Sequence, residues 1–227
     1  MHTIKPIITA DGSSSLFVPE LNEHYHSTNG ALQESRHIFI DHGMHYFHKN
    51  NPEIDTIHIF EMGFGTGLNA LLAWEFSQKE NLKIHYTTIE KYPVENRVIQ
   101  ELNFGKILTT ANAKETFETL HTAPWNQEYR IDNFTLKKIE GDMLNYNPPK
   151  PIDVVFFDAF APDLMPQLWS VDVFSKLFNC MNFNSVLTTY SAKGDVRRNL
   201  ITAGFTVKKL AGPPGKRHML HATCSTL

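Results

Sequence analysis

The sequence predicts an α/β fold: a doubly wound, mostly parallel sheet of seven strands, closed by an antiparallel C-terminal hairpin. Three observations predict it. Between Ile57 and Trp74 an apolar strand runs into a glycine-rich turn and then an apolar helix. Strand-like and helix-like stretches alternate through the rest of the chain, as a layered parallel sheet requires. The last two strand-like stretches, 205–210 and 218–223, flank Gly212-Pro213-Pro214-Gly215-Lys216 and pair as a hairpin.

The chain has 227 residues, enough for one sizeable core. No window approaches the ~20 apolar residues of a membrane span. The stretch Met1-His2-Thr3-Ile4-Lys5-Pro6 lacks the charged-then-apolar layout of a signal peptide. Cys180 and Cys224 are the only cysteines, too few for a disulfide framework, so a reduced, cytoplasmic setting is expected. The net charge of −3 excludes a strongly basic nucleic-acid binder and leaves room for local basic patches. The 12 histidines show no ligand spacing, and no metal site is expected.

Taken in order, residues 3–18 read as a hairpin turning at Asp11-Gly12. Residues 22–30 are polar and read as a loop carrying Tyr25, His26 and Ser27. A helix over 31–48 offers Ile38, Phe39, Met44 and Phe47 for burial, although Gly43 weakens it. Residues 1–55 are too few to hold a core alone and read as an extension packed on a domain of residues 56–227. A second strand, 84–89, ends at Glu90-Lys91, and Pro93 opens a helix through Val98 and Leu102. Residues 105–133 are less regular: a helix over 111–120, then Trp125 covering the core. A strand over 134–139 ends at Gly141-Asp142-Met143. The central strand, 152–157, ends at Asp158-Ala159-Phe160-Ala161-Pro162, and Pro166 opens the next helix. Residues 186–189 form a strand, and a helix carrying Val196, Leu200 and Ile201 stops at Ala203-Gly204.

Gly63, Gly65 and Gly67 suit a tight turn whose backbone approaches a ligand. A dinucleotide fingerprint, G-x-G-x-x-G, would need its third glycine at the position of Leu68, so the spacing disfavours a dehydrogenase. The observed acidic-x-Gly-x-Gly-x-Gly, beginning at Glu61, resembles the first motif of Rossmann-like, class I methyltransferases that use S-adenosylmethionine. That resemblance implies a cofactor set of Glu61, Met62, Gly63, Gly65, Gly67, Asn69, Glu90, Lys91, Asp142 and Met143. Glu61, Glu90, Asp142 and Asp158 all fall at carboxyl ends of successive strands, where open α/β sheets bind ligands. Glu61 can orient the cationic amino acid end of the cofactor. Glu90, ~20 residues or slightly more beyond the glycines, can accept from both ribose hydroxyls. Asp142 can accept from an adenine amino group with Met143 against the base, or it can simply cap a helix.

A collinear set of residues carries a more specific resemblance. It comprises Tyr25-His26-Ser27 through Gly30, Glu34-Ser35-Arg36, Gly63-Phe64-Gly65-Thr66-Gly67-Leu68-Asn69 and Glu90-Lys91-Tyr92-Pro93. It continues through Gly141-Asp142, Asp158-Ala159-Phe160-Ala161-Pro162, Pro166, Trp169, Ser191-Ala192-Lys193-Gly194, Val196-Arg197-Arg198, Ala203-Gly204-Phe205 and Gly215-Lys216-Arg217. Over nearly its whole length the chain resembles the methyltransferase domain that completes 5-methylaminomethyl-2-thiouridine at the tRNA wobble position (the MnmC/MnmD type). The family often has Asp-Gly-Phe where this chain has Asp158-Ala159-Phe160.

The resemblance implies N-methylation of an aminomethyl group on (2-thio)uridine, with the tRNA anticodon stem-loop as partner. Bifunctional members continue into a flavin-dependent oxidase domain, which this sequence does not include. Asp158 is the expected catalytic residue, accepting or steering the proton of the amine, or fixing it by a hydrogen bond. Phe160 and Pro162 would wall the pocket. Tyr25 either closes over the uridine or is ordinary packing. Lys193, Arg197, Arg198, Lys216 and Arg217 are candidates for phosphate contact. Two rivals stand beside this reading: a small-molecule amine methyl- or aminopropyltransferase, and a cofactor- or RNA-binding module without turnover. Tyr146-Asn147-Pro148-Pro149 looks like an Asn-Pro-Pro-aromatic motif, but it precedes its strand and Lys150 stands where the aromatic should be.

Overall fold

The computed structural model describes residues 3–225, so the first two residues weighed above as a leader lie outside it. The main sheet has eight strands, in the order β10-β11-β9-β8-β4-β5-β7-β6. They are β4 Thr56–Met62, β5 Lys83–Glu90, β6 Glu128–Ile131, β7 Phe134–Glu140, β8 Ile152–Phe157, β9 Met181–Thr189, β10 Thr206–Ala211 and β11 His218–Cys224. The central strands β9, β8, β4, β5 and β7 run parallel. The C-terminal hairpin is antiparallel, and β11 joins β9 antiparallel.

The additional strand is β6, an antiparallel edge on β7. Sequence alone passes over it because the stretch is only four residues long and Glu128, Tyr129 and Arg130 are exposed, leaving Ile131 as its one partly buried side chain. What creates it is the turn at Asp132, whose φ of 52° reverses the chain. Trp125 bridges to Lys138 of β7 beside it. The helix expected at Pro93 is shorter than its apolar spacing suggests. It spans Asn96–Ile99, and a separate turn of helix, Phe104–Ile107, follows. Pro166 opens a short 3₁₀ turn, Pro166–Trp169; the helix Val171–Phe178 then starts behind its own cap, the Ser170 hydroxyl accepting from the Val173 N–H.

The N-terminal hairpin, β1 Lys5–Ile8 and β2 Ser14–Val18, gains a third strand, β3 Glu23–His24. A continuous helix follows over residues 31–50, with a π-helical middle at Arg36–His45. Gly43 is essential to its position. A Cβ there would stand 3.2 Å from the Phe156 ring and 3.5 Å from Thr188. The glycine that weakens the helix locally lets it lie flat on β8 and β9. Apolar residues of alternating direction serve the two faces of the sheet. Ile57 and Ile59 meet Leu16, Ile38, Phe39 and Leu71 on one face. Phe60 and Met62 meet Phe157, Trp169 and Phe174 on the other. Residues of the first 55 therefore share a core with the sheet. No helix among the described residues is long and apolar enough to cross a membrane.

Candidate active site

The carboxyl ends of β4, β5, β7 and β8 open into one cavity of about 530 Å³. Its floor is the glycine turn. Gly63 has φ +93°, and a Cβ there would stand 2.9 Å from the Asp158 carbonyl oxygen. Gly65 has φ +50° and meets the Tyr25 ring, 3.2 Å from where its Cβ would be. Only glycine meets both demands, a left-handed backbone and so close an approach. Gly67, also left-handed, caps the helix Leu68–Glu80 and is backed by His121, whose Nε2 donates to the Thr66 carbonyl at 3.1 Å.

Glu90 turns back onto this floor. Its carboxylate accepts from the Gly65 N–H at 3.1 Å and from the Tyr92 N–H at 2.8 Å. Burial raises its pKa. Asp142 caps the 3₁₀ turn Met143–Asn145, accepting from the Leu144 N–H at 2.9 Å, and pairs with Lys91 at 2.8 Å. The hydrogen bond from Lys91 holds its carboxyl below the ordinary range. Asp142 thus has its capping role, and it also lines the cavity beside Met143.

Asp158 lies deeper. Asn69 Nδ2 donates to its Oδ2 at 2.8 Å. Burial first, and then the charge of Glu34, push its pKa up to about 7; Asn69 and Lys216 oppose them. The wall above is aromatic. Tyr25 and Phe160 meet edge to face at 5.1 Å, and the Tyr190 hydroxyl donates to the Ala159 carbonyl at 2.8 Å.

The cavity gathers most of the residues singled out from sequence. Met62, Gly63, Gly65 and Asn69 line it, as do Glu90, Lys91, Asp142, Met143, Asp158, Tyr25, Phe160 and Lys216. Glu61 is not among the lining residues and is fully buried. Pro162 and Lys193 line a separate, shallower hollow. Lys193 is paired with Asp163 and Arg198 with Asp195. Among the described residues Arg197 and Arg217 have no carboxylate partner, unlike Lys216, which pairs with Glu34 and lies 4.3 Å from the Tyr190 ring centroid. Sequence reading assigned no role to Glu34 or Tyr190. Both come from segments distant in the chain, and the only signal for Glu34 was its place in the collinear set. Among the described residues no cluster of His, Cys, Asp and Glu could hold a metal ion.

A family model described as S-adenosyl-L-methionine-dependent methyltransferase matches residues 109–225. The chain belongs to this methyltransferase family. A "tRNA 5-methylaminomethyl-2-thiouridine biosynthesis bifunctional protein MnmC" from Pseudomonas entomophila is 31% identical over 209 residues, covering 87% of this chain and 32% of the relative. The methyltransferase thus spans about a third of the length of the curated relatives it matches. The crystal structure of MNMC2 from Aquifex aeolicus superposes with a TM-score of 0.82 at 27% identity, covering 100% of this chain and 72% of the other. Spermidine synthase from Thermotoga maritima, at 11% identity, covers 99% of this chain and 70% of its own, with a TM-score of 0.60, and shares the fold. The methyltransferase takes S-adenosylmethionine as cofactor, and the cavity fits that molecule chemically. It has carboxylate acceptors for nucleoside hydroxyls, apolar Ile89 and Met143 for a base, and a floor kept free of side chains by Gly63 and Gly65.

Proposed function

We propose that this chain N-methylates the aminomethyl group of (2-thio)uridine at the wobble position of tRNA, giving 5-methylaminomethyl-(2-thio)uridine. The observation that carries the reading is a carboxylate in an aromatic-lined cavity, Asp158 sharing the lining with Tyr25 and Phe160, in a chain similar throughout to MnmC-named proteins. S-adenosylmethionine supplies a methyl group on positively charged sulfur. Gly63, Gly65, Glu90, Lys91, Asp142 and Met143 hold the cofactor, Glu90 by accepting from its ribose hydroxyls. Met62, Gly67 and Asn69 shape that floor.

An ammonium has no lone pair, so the substrate amine must shed a proton before it attacks. Asp158 accepts or steers that proton and aims the amine; with its pKa near 7 it can do so at neutral pH. By orienting the amine within the cavity, these residues would supply much of the acceleration. Tyr25 and Phe160 flank the uridine and exclude water, with Pro162 outside them. Arg197 and Arg217 contact phosphates of the anticodon stem-loop, aided by Lys193 and Arg198 once RNA displaces their carboxylate partners. Lys216, held by Glu34, acts in the pocket. The reaction needs no metal and belongs in the cytoplasm.

Incubation with labelled S-adenosylmethionine and tRNA carrying 5-aminomethyluridine tests the reading. Label is expected in the wobble nucleoside. Label confined to small amines would instead assign a small-molecule methyltransferase.

A further inference from the structure

We propose that Glu61 is a positioning residue that acts as a neutral acid, holding the Asn69 amide so that it stays on Asp158. The inference rests on the reading of Asp158 as the group that meets the amine. Glu61 is the penultimate residue of β4, is wholly buried and lies outside the cavity lining. Thr88 and Tyr86 of β5 face it, together with Asn69 from the helix Leu68–Glu80 and Asp158 from the end of β8. None of these groups is a cation. Both oxygens of Glu61, the Tyr86 and Thr88 hydroxyls and Asn69 Oδ1 are buried, and none has a hydrogen bond within ordinary distance and angle limits. Thr88, Tyr86 and Asn69 nevertheless lie close enough to act on the Glu61 carboxyl, so five buried polar atoms share one place with one another and with no water-facing group, an arrangement that calls for a role.

A carboxyl group stripped of water, with a second carboxylate beside it and no cation to offset the charge, keeps its proton. Burial raises its pKa well above the ordinary value and the charge of Asp158 adds to this; Thr88, Tyr86 and Asn69 oppose the rise without cancelling it. The neutral acid both donates and accepts. Its O–H supplies the donor that the Asn69 Oδ1 lacks, and the two hydroxyls of β5 can turn toward it. Held in this way, the amide keeps Nδ2 on Asp158 Oδ2, the 2.8 Å bond already present. That bond favours the ionised form of Asp158. The other groups bearing on Asp158 are Glu34 and Lys216, which are paired with each other, and the Tyr86 and Tyr190 hydroxyls. Glu61 therefore influences the reacting centre without touching it.

The competing role is a charged Glu61 that orients the cationic end of the cofactor. Glu61→Gln separates the two, since it keeps the shape and removes the charge. The experiment titrates the Asp158 carboxyl by ¹³C NMR in aspartate-labelled protein, assigned with Asp158→Asn. It is run on wild type, Glu61→Gln, Glu61→Ala and Asn69→Ala. Calorimetry with S-adenosylhomocysteine and steady-state methyl transfer accompany it. The Asp158 midpoint is expected to stay in place in Glu61→Gln and to rise in both alanine variants. Affinity for S-adenosylhomocysteine should hold in Glu61→Gln, while kcat falls about tenfold in Glu61→Ala, a loss read in kcat and not in cofactor KM. A tenfold weaker S-adenosylhomocysteine complex in Glu61→Gln, or a shifted Asp158 midpoint there, overturns the proposal. So does an unshifted midpoint in Glu61→Ala. If Glu61→Ala does not fold, the Glu61→Gln results decide alone. If wild type fails to methylate tRNA, the proposed substrate falls while the titration and calorimetry still decide the role of Glu61.

Discussion

Asp158 is set by opposed neighbours. Burial and the Glu34 carboxylate push its pKa up to about 7, while the Asn69 amide and Lys216 hold it down. If the ionised form meets the amine, activity rises with pH through about 7. Asp158→Asn should bind S-adenosylhomocysteine normally, lose about 10²–10⁴-fold in kcat and lose that limb of the profile. Glu34→Gln removes a negative charge and frees Lys216, so the same limb should move to lower pH. A rate–pH profile of each variant checks both. Asp158 was legible in the sequence because strand ends in parallel sheets face the ligand. Glu34 was not, because it reaches Asp158 only through the tertiary fold.

Two elements show where local pattern and packing part company. In the helix over residues 31–50, Gly43 argues against a helix by propensity, yet it lies where a side chain would strike Phe156 and Thr188. Gly43→Leu would wedge the helix away from β8 and β9. The expected cost is about 1–3 kcal/mol, read as a lower Tm in thermal unfolding with cofactor binding weakened only secondarily. β6 is the opposite case. Its four residues, Glu128 to Ile131, carry only two apolar side chains, Tyr129 and Ile131, too short an alternation to stand out, and the turn at Asp132 folds it onto β7. Sequence pattern reports burial, and an exposed edge strand has little burial to report.

Across the whole molecule, the groups that make the site cost stability. The folded state holds the Asp158 proton up to about pH 7, against an ordinary value of 3.8 in the unfolded chain. Its stabilising contribution is complete below 3.8 and is lost as pH rises through about 7. Asn does not titrate, so the Tm advantage of Asp158→Asn over wild type should widen between about pH 4 and 8; scanning both by thermal unfolding tests this. His26 and His121, pushed down to about 4 by burial, act in the opposite sense. The stability they lend is present above their ordinary 6.5 and is lost as pH falls toward 4. Being common to both proteins, they cancel in the difference. A constant Tm gap across that range would mean that Asp158 does not titrate near 7.

The order of elements, the glycine turn, the strand-end carboxylates and the terminal hairpin were all determined by the sequence, because apolar periodicity and glycine placement act over a few residues. What only the tertiary structure decided is which of those carboxylates faces the cavity and which lies behind it. It also decided that Lys216 answers to Glu34, and that a glycine-bearing helix from the N-terminal extension covers one face of the sheet. Those outcomes depend on contacts between residues far apart in the chain, and burial and charge take their values only once the chain has closed around them.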